Sequence, residues 1–164
     1  MKIRIAGIVK NSIVDGPGIR YAVFGQGCPL RCEDCHNPHT HDFLGGKLVN
    51  IDDIALEIKK DPLLDGVTFT GGEPFAQIEA FARLAEMICR QGDPDIICYT
   101  GYTFEELYAN PETHTLLSKI DVLIDGRFKH EQRSLGVKFR GSANQRAVDS
   151  KESMKRGKAI EITL

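Results

Sequence analysis

Short apolar runs rich in β-branched residues recur along this chain, and between them lie stretches with helical spacing. This alternation restricts the fold more than any other feature. IRIAGIV (3–9) and IRYAVFG (19–25) read as strands separated by a turn at DGPG (15–18). GVTFT (66–70), DIICYT (95–100) and VLID (122–125) read the same way, and VKF (137–139) and AIEITL (159–164) are candidates for further strands. IDDIALEIKK (51–60) places apolar residues at 51, 54, 55 and 58, a helical stripe closed by Asp61-Pro62. QIEAFARLAEMICR (77–90) is the clearest helix, and TFEELYAN (103–110) is a short one. This βαβα rhythm predicts a parallel sheet with helices packed against it. At 164 residues, without repeats or linkers, the chain reads as one domain, 1–164. About six strands are too few for a closed eight-stranded barrel of about 250 residues. The expected fold is therefore α/β, an open partial (β/α) barrel of mainly parallel strands with flanking helices.

Polar and glycine-rich segments follow these strands in a regular way. The loop GCPLRCEDCHNP (27–38) follows the strand at 19–25, GGEP (71–74) follows GVTFT, and Thr100 leads into GYT (101–103). Asp125 and Gly126 follow VLI, and RGSANQR (140–146) follows VKF. Each segment alone reads equally well as a turn. Together they belong at the carboxyl ends of parallel strands, the face on which such folds bind ligands.

The loop at 27–38 is distinctive because Cys28, Cys32 and Cys35 fall within eight positions. Three thiols cannot pair off as disulfides, and no leader or long apolar span points to an oxidising compartment, so a cytoplasmic protein with reduced thiols is expected. Net charge is −2, which gives no sign of a nucleic-acid or membrane partner. Thiolates select zinc, Cu(I) or iron–sulfur clusters. A Cys₃His zinc site is one reading, since His36, His39 and His41 lie just downstream. The other is a cluster held at three corners with one iron left open, because a cluster normally takes four cysteines. Cys89, in the strong helix, and Cys98, in an apolar strand, read as buried small hydrophobes. KESMKRGK (151–158) reads as a solvated basic stretch.

The C-x₃-C-x₂-C pattern resembles the signature of radical S-adenosylmethionine enzymes. IVDGPGIR (13–20), the cysteine loop, TGGEPF (70–75), YTGYT (99–103), IDGRF (124–128) and RGSANQR (140–146), in that order, are similar to the glycyl-radical-enzyme activases. The resemblance runs from about residue 3 to residue 148. It implies a [4Fe-4S] cluster on Cys28, Cys32 and Cys35, with S-adenosylmethionine chelating the fourth iron. It also implies that Gly71, Gly72 and Glu73 hold the methionyl amino group, where a glycine backbone permits close approach and a carboxylate suits an ammonium. Thr100, Gly101 and Asp125 would line the same pocket, and the 140–146 segment, with Asn144, would complete its cofactor or substrate end. In many relatives an aromatic residue precedes the third cysteine. Here Asp34 stands there, so other groups must contact the adenine, with His36 a candidate neighbour or a structural loop residue.

The reaction implied is reductive cleavage of S-adenosylmethionine to a 5′-deoxyadenosyl radical, which abstracts hydrogen from a glycine of a partner enzyme. The protein substrate implied is the anaerobic ribonucleoside-triphosphate reductase, and the electron comes from an external donor such as flavodoxin or ferredoxin. The alternatives are activation of another glycyl radical enzyme of the formate-lyase type, or a small radical enzyme acting on a free metabolite. A non-enzymatic zinc or electron-transfer module would leave the strand-end motifs without a purpose.

Overall fold

The computed structural model describes residues 1–90 and 94–164. Seven strands form one sheet: β1 (Lys2–Ser12), β2 (Arg20–Gly25), β3 (Lys47–Asn50), β4 (Gly66–Gly71), β5 (Asp95–Tyr99), β6 (Val122–Asp125) and β7 (Arg146–Asp149). The helices are α1 (Ile51–Lys60), α2 (Ile78–Cys89), α3 (Phe104–Tyr108), α4 (His114–Leu117) and α5 (Ser150–Arg156). The sheet runs in the order β3-β1-β2-β4-β5-β6-β7. Its centre, β2-β4-β5-β6, is parallel, while β1, β3 and β7 join antiparallel at the two sides. The expected α/β architecture with a parallel core is therefore present, in an open sheet.

The helical stripes explain one face. Asn50 caps α1 and accepts from the Asp52 amide, and the stripe Ile51, Ile54, Ala55, Ile58 is buried. In α2 the residues Phe81, Leu84, Ala85 and Ile88 are fully buried, and with α1 they share the main core with Val67, Phe69, Ile96 and Leu123 of the central strands. At roughly 1.5–3 kcal/mol for each large apolar side chain removed from water, this layer dominates the stability. A smaller cluster of Ile97, Ile124 and Ala147, joined by Ile162 and Leu164, covers part of the other face. Among the described residues no helix contributes to this cluster.

The two edge strands β3 and β7 were not expected from the sequence. In β3 only Val49 is even half-buried, so the segment shows no apolar pattern, and β7 grows directly out of the polar 140–146 segment. VKF (137–139) is not a strand: Phe139 adopts φ 57°, which breaks an extended run. AIEITL yields only a bridge from Glu161 to Val148, flanked by Asp149 N–H to Ile160 O and Ile162 N–H to Ala147 O. KESMKRGK contributes most of α5, closed by Gly157 at φ 66°, with Lys151, Lys155, Arg156 and Lys158 exposed. Cys98 is buried as expected, but Cys89 is exposed, because it ends α2 on the side away from the core. Among the described residues no helix is long and apolar enough to cross a membrane.

Candidate functional site

The parallel strands end together, and the loops that follow β2, β4, β5 and β6 meet at that end. The cysteine loop leaves β2 and returns to β3. Its base is closed by Gly27 N–H to Thr40 O at 2.8 Å and Cys28 N–H to His41 O at 3.2 Å. The Gln26 amide, buried beneath, donates to His39 O at 3.1 Å and Asp42 O at 2.7 Å. Between these ties, Cys28, Cys32 and Cys35 are all half-buried. Burial pushes the Cys28 thiol up, while the backbone N–H groups of Leu30 and Arg31 pull it down by bonding the sulfur. Asn37 N–H likewise donates to Cys35 Sγ at 3.4 Å. Backbone donors aimed at sulfur suit ligating thiolates, whose redox behaviour such bonds tune.

No three His, Cys, Asp or Glu side chains among the described residues converge on one point that could hold a single metal ion. A zinc with Zn–S near 2.3 Å would need its thiolates within about 4 Å of one another. Thiols on separate irons of a cluster need not meet, so the donor set suits a cluster better than a mononuclear zinc. Of the nearby histidines, the His36 ring lies 4.8 Å from Phe128, and His41 Nε2 is buried with no partner among the described residues; from the loop after β6, His130 Nδ1 contacts Asp34 Oδ2 at 2.8 Å. Asp34 is thus turned toward the loop after β6.

The GGE turn is fastened under the cysteine loop, with Gly72 N–H to Gly25 O and Glu73 N–H to Gly27 O, each at 2.8 Å. Gly71 has φ 93°, and a side chain there would strike the β2 backbone at 2.7 Å. The Glu73 carboxylate is only 2% exposed. It accepts from Thr100 Oγ1 at 2.9 and 3.0 Å, from Gly101 N–H at 3.0 Å and from Phe75 N–H at 3.0 Å. Burial outweighs these donors and pushes its pKa up to about 7. Thr100 and Gly101 therefore meet the GGE turn, as expected of one site. Leu30 of the cysteine loop seats on Gly101, where a Cβ would lie 2.3 Å from its Cδ1.

Asp125 and Asn144 have their side chains committed within the protein. Asp125, 1% exposed, takes Arg146 Nη2 at 2.5 Å, Arg146 Nε at 3.0 Å and Phe104 N–H at 2.7 Å. Asn144 donates to Arg127 O at 2.8 Å and accepts from Ser142 Oγ at 2.6 Å. Gln145 donates to Gly126 O at 3.0 Å and accepts from Gly141 N–H at 2.8 Å. The 140–146 segment is thus a clasp that shuts the loop following β6. Arg146 and Gln145 carry ties of this clasp, as Gln26 carries those of the cysteine loop. Arg146 and Gln145 stood in a quoted motif without assigned roles, and Gln26 carried no signal beyond its place before Gly27.

A cavity of about 770 Å³ opens beside this junction. Cys35, His36, Phe128, Tyr99 and Arg140 line it, together with Asp15 of the DGPG turn. Of the expected cluster ligands Cys35 lines it, as do His36 and, from the 140–146 segment, Arg140, Gly141 and Gln145. Tyr99 Oη donates to Phe139 O at 2.7 Å, and Arg140 Nη1 donates to Gln145 O at 3.1 Å. Arg140 Nε is buried with no partner among the described residues. Asp15 and Arg20 are joined through Thr68, which donates to Asp15 O at 2.8 Å and accepts from Arg20 Nε at 2.7 Å.

Residues 14–148 match the family model described as "4Fe-4S single cluster domain". The anaerobic ribonucleoside-triphosphate reductase-activating protein of Vibrio cholerae is 36% identical over 140 residues, spanning 81% of this chain and 89% of that one. The protein of the same name from Enterobacteria phage T4 is 33% identical, over 81% and 85%. The pyruvate formate-lyase-activating enzyme of Clostridium pasteurianum is 38% identical over 124 residues, which are 73% of this chain and 52% of that one. Among solved structures, QueE from Escherichia coli superposes with TM-score 0.52 at 19% identity, covering 63% of this chain and 54% of that one. That likeness concerns the fold.

Proposed function

The chain belongs to the 4Fe-4S single cluster family of the anaerobic ribonucleoside-triphosphate reductase-activating proteins, and we propose that it generates a glycyl radical on such a reductase. When bound, a [4Fe-4S] cluster and S-adenosylmethionine supply one-electron reductive cleavage of the sulfonium and hydrogen abstraction from a backbone glycine. Every other part of the task falls to this chain.

In this reading Cys28, Cys32 and Cys35 hold three irons, and the backbone donors of Leu30, Arg31 and Asn37 orient the sulfurs. Glu73 is a positioning residue. Its buried carboxylate locks the Gly71-Gly72 turn to Thr100 and Gly101, so the turn's backbone is held rigid where the amino group arrives. Asp125 acts through Arg146, fixing the mouth of the loop after β6, and Asn144 fixes the same loop through Arg127. The single sheet spanning Lys2 to Asp149 supports treating 1–164 as one domain. The electron donor is an external one-electron carrier of the flavodoxin or ferredoxin type. The working compartment is the cytoplasm, where the thiols stay reduced. The observation that carries the reading is the meeting of the three-cysteine loop with the GGE turn at the strand ends.

The test is anaerobic. Reduced, iron-loaded protein, S-adenosylmethionine and an anaerobic ribonucleoside-triphosphate reductase should give a glycyl-radical signal by electron paramagnetic resonance. Cleavage of S-adenosylmethionine with no radical on the reductase would move the reading to another glycyl radical enzyme or to a free metabolite. Radical formation on pyruvate formate-lyase instead would select the first of these.

A further inference from the structure

Three separate segments meet at one point of the cavity wall, and two of them bring an aromatic ring there. His36 follows Cys35 on the cysteine loop, and its exposed ring lies 4.8 Å from that of Phe128, tilted by 49°. Phe128, half-buried, comes from the loop after β6. Against this pair packs Gly141 of the 140–146 clasp, where a Cβ would lie 3.0 Å from Phe128 Cδ2 and 3.2 Å from His36 Cε1. A glycine lets both rings sit this close to the backbone. Gly141 is itself held in place, donating to Gln145 Oε1 at 2.8 Å and accepting from Ser134 N–H at 3.3 Å. The contact between Asp34 and His130 joins the same two loops a second time. His36, Phe128 and Gly141 all line the cavity, next to Cys35.

Among the described residues neither ring belongs to the two apolar clusters that hold the sheet together. Polar side chains nearby are spent within the protein. Tyr99 Oη bonds Phe139 O, and the Gln145 amide bonds Gly126 O and the N–H groups of Gly141 and Ser142. What this stretch of wall offers is an aromatic face, pinned by a second ring and by a fixed glycine. Such a face attracts a flat heteroaromatic ring, and every nucleobase has a π-face to stack on it. In the function proposed above, the flat ring brought to the cysteine loop is the adenine of S-adenosylmethionine. The methionyl end is taken by the GGE turn and the open iron, which leaves the nucleoside end for the cavity. Asp34, which precedes Cys35, is turned to His130 and has no ring to offer it.

We propose that Phe128, steadied by His36 and Gly141, is the binding residue for the adenine of S-adenosylmethionine. Phe128 supplies the stacking face, His36 braces it from the cysteine loop, and Gly141 leaves the room that the pair needs. The proposal rests on the function proposed above and deepens it by naming what holds the nucleoside end. It also gives the 140–146 clasp a task. Gln145 and Asn144 bond the carbonyl oxygens of Gly126 and Arg127, the two residues before Phe128, and so fix the ring through its own backbone.

The test compares Phe128→Ala, Phe128→Leu and Gly141→Ala with the parent, all iron-loaded and kept oxidised, so that binding is read without cleavage. Labelled S-adenosylmethionine gives its Kd by equilibrium dialysis. Its displacement by S-methylmethionine gives the affinity of a sulfonium that has the methionyl end but no nucleoside, and iron content is read alongside. Phe128→Ala should weaken S-adenosylmethionine binding on the order of tenfold, and Phe128→Leu and Gly141→Ala by less. Iron content and S-methylmethionine affinity should stay at parental levels. Equal weakening of both sulfoniums, or loss of iron, would show a ring that only braces the cysteine loop, and would overturn the proposal. An unchanged Kd in Phe128→Ala would overturn it too, while leaving the function intact. A parent that holds iron but binds S-adenosylmethionine at no concentration would overturn the function, and this proposal with it.

Discussion

Gln26 Nε2 donates to the carbonyl oxygen of Asp42 at 2.7 Å, and so ties the end of the cysteine loop to the strand from which the loop departs. The same nitrogen reaches His39 O, and Gln77 holds the Gln26 carbonyl at 3.1 Å from below. The three thiols therefore sit on a loop whose two ends are clasped by buried amides, independently of any bound group.

Gln26→Glu keeps the shape of this clasp but places a carboxylate against two carbonyl oxygens, which should cost about 1–3 kcal/mol. Iron should pass to a chelator several-fold faster than from the parent, with Gln26→Met in between. Equal release from all three proteins would show that the backbone ties at Gly27 and Cys28 suffice.

Replacing Cys28, Cys32 or Cys35 singly by Ala should remove the cluster absorbance and abolish S-adenosylmethionine cleavage. In the cluster-free parent these thiols and Cys89 should react with a maleimide, whereas Cys98 should not. Cys98 is fully buried, and that burial pushes its thiol well above the ordinary range. Labelling of Cys98 in the folded protein would contradict the core described here.

Glu73 gives a pH signature. Burial raises its folded pKa to about 7, above the unfolded carboxylate range, so the folded state binds the proton more tightly than the unfolded state does. The stability this contributes is fully present below about pH 4.5 and is lost as pH rises through 7. Between pH 5 and 8 the cluster-free parent should lose stability relative to Glu73→Gln, by an amount on the order of 3 kcal/mol. Chemical denaturation of both proteins across that range reads the difference, and parallel curves would exclude a buried, raised carboxyl.

The Asp125–Arg146 pair makes the fourth prediction. Asp125 is buried and Arg146 also bonds Glu105 Oε2 at 2.7 Å, so β6, β7 and α3 are joined at one guanidinium. Arg146→Ala leaves a buried carboxylate without its counterion and should cost about 3–5 kcal/mol. Arg146→Lys, which lacks the planar fork, should recover only part of that. A normal melting temperature for Arg146→Ala, together with weakened cofactor binding, would instead place Asp125 in direct contact with the cofactor.

The sequence by itself determined the alternation of strands and helices, the bounds of α1 and most of α2, and the grouping of three cysteines on one loop. Those features are local: helical stripes and buried strands announce themselves by period, and cysteines on one loop by spacing. It did not disclose β3 or β7, since a short edge strand is defined by its neighbour's free hydrogen-bonding groups rather than by its own side chains. Nor did it disclose what the motif residues touch. Glu73 reads as a group offered to a ligand, yet only the meeting of the β4 and β5 ends turns its carboxylate inward onto Thr100 and Gly101. Asp125 acquires Arg146 because β7 returns antiparallel beside β6, pairing Asp125 with Arg146 in register. Gln26 finds its partners among backbone carbonyls, which every residue carries and which no spacing reveals. Contacts between distant segments are set by the packing of the whole sheet, and that is where these side chains acquire their work.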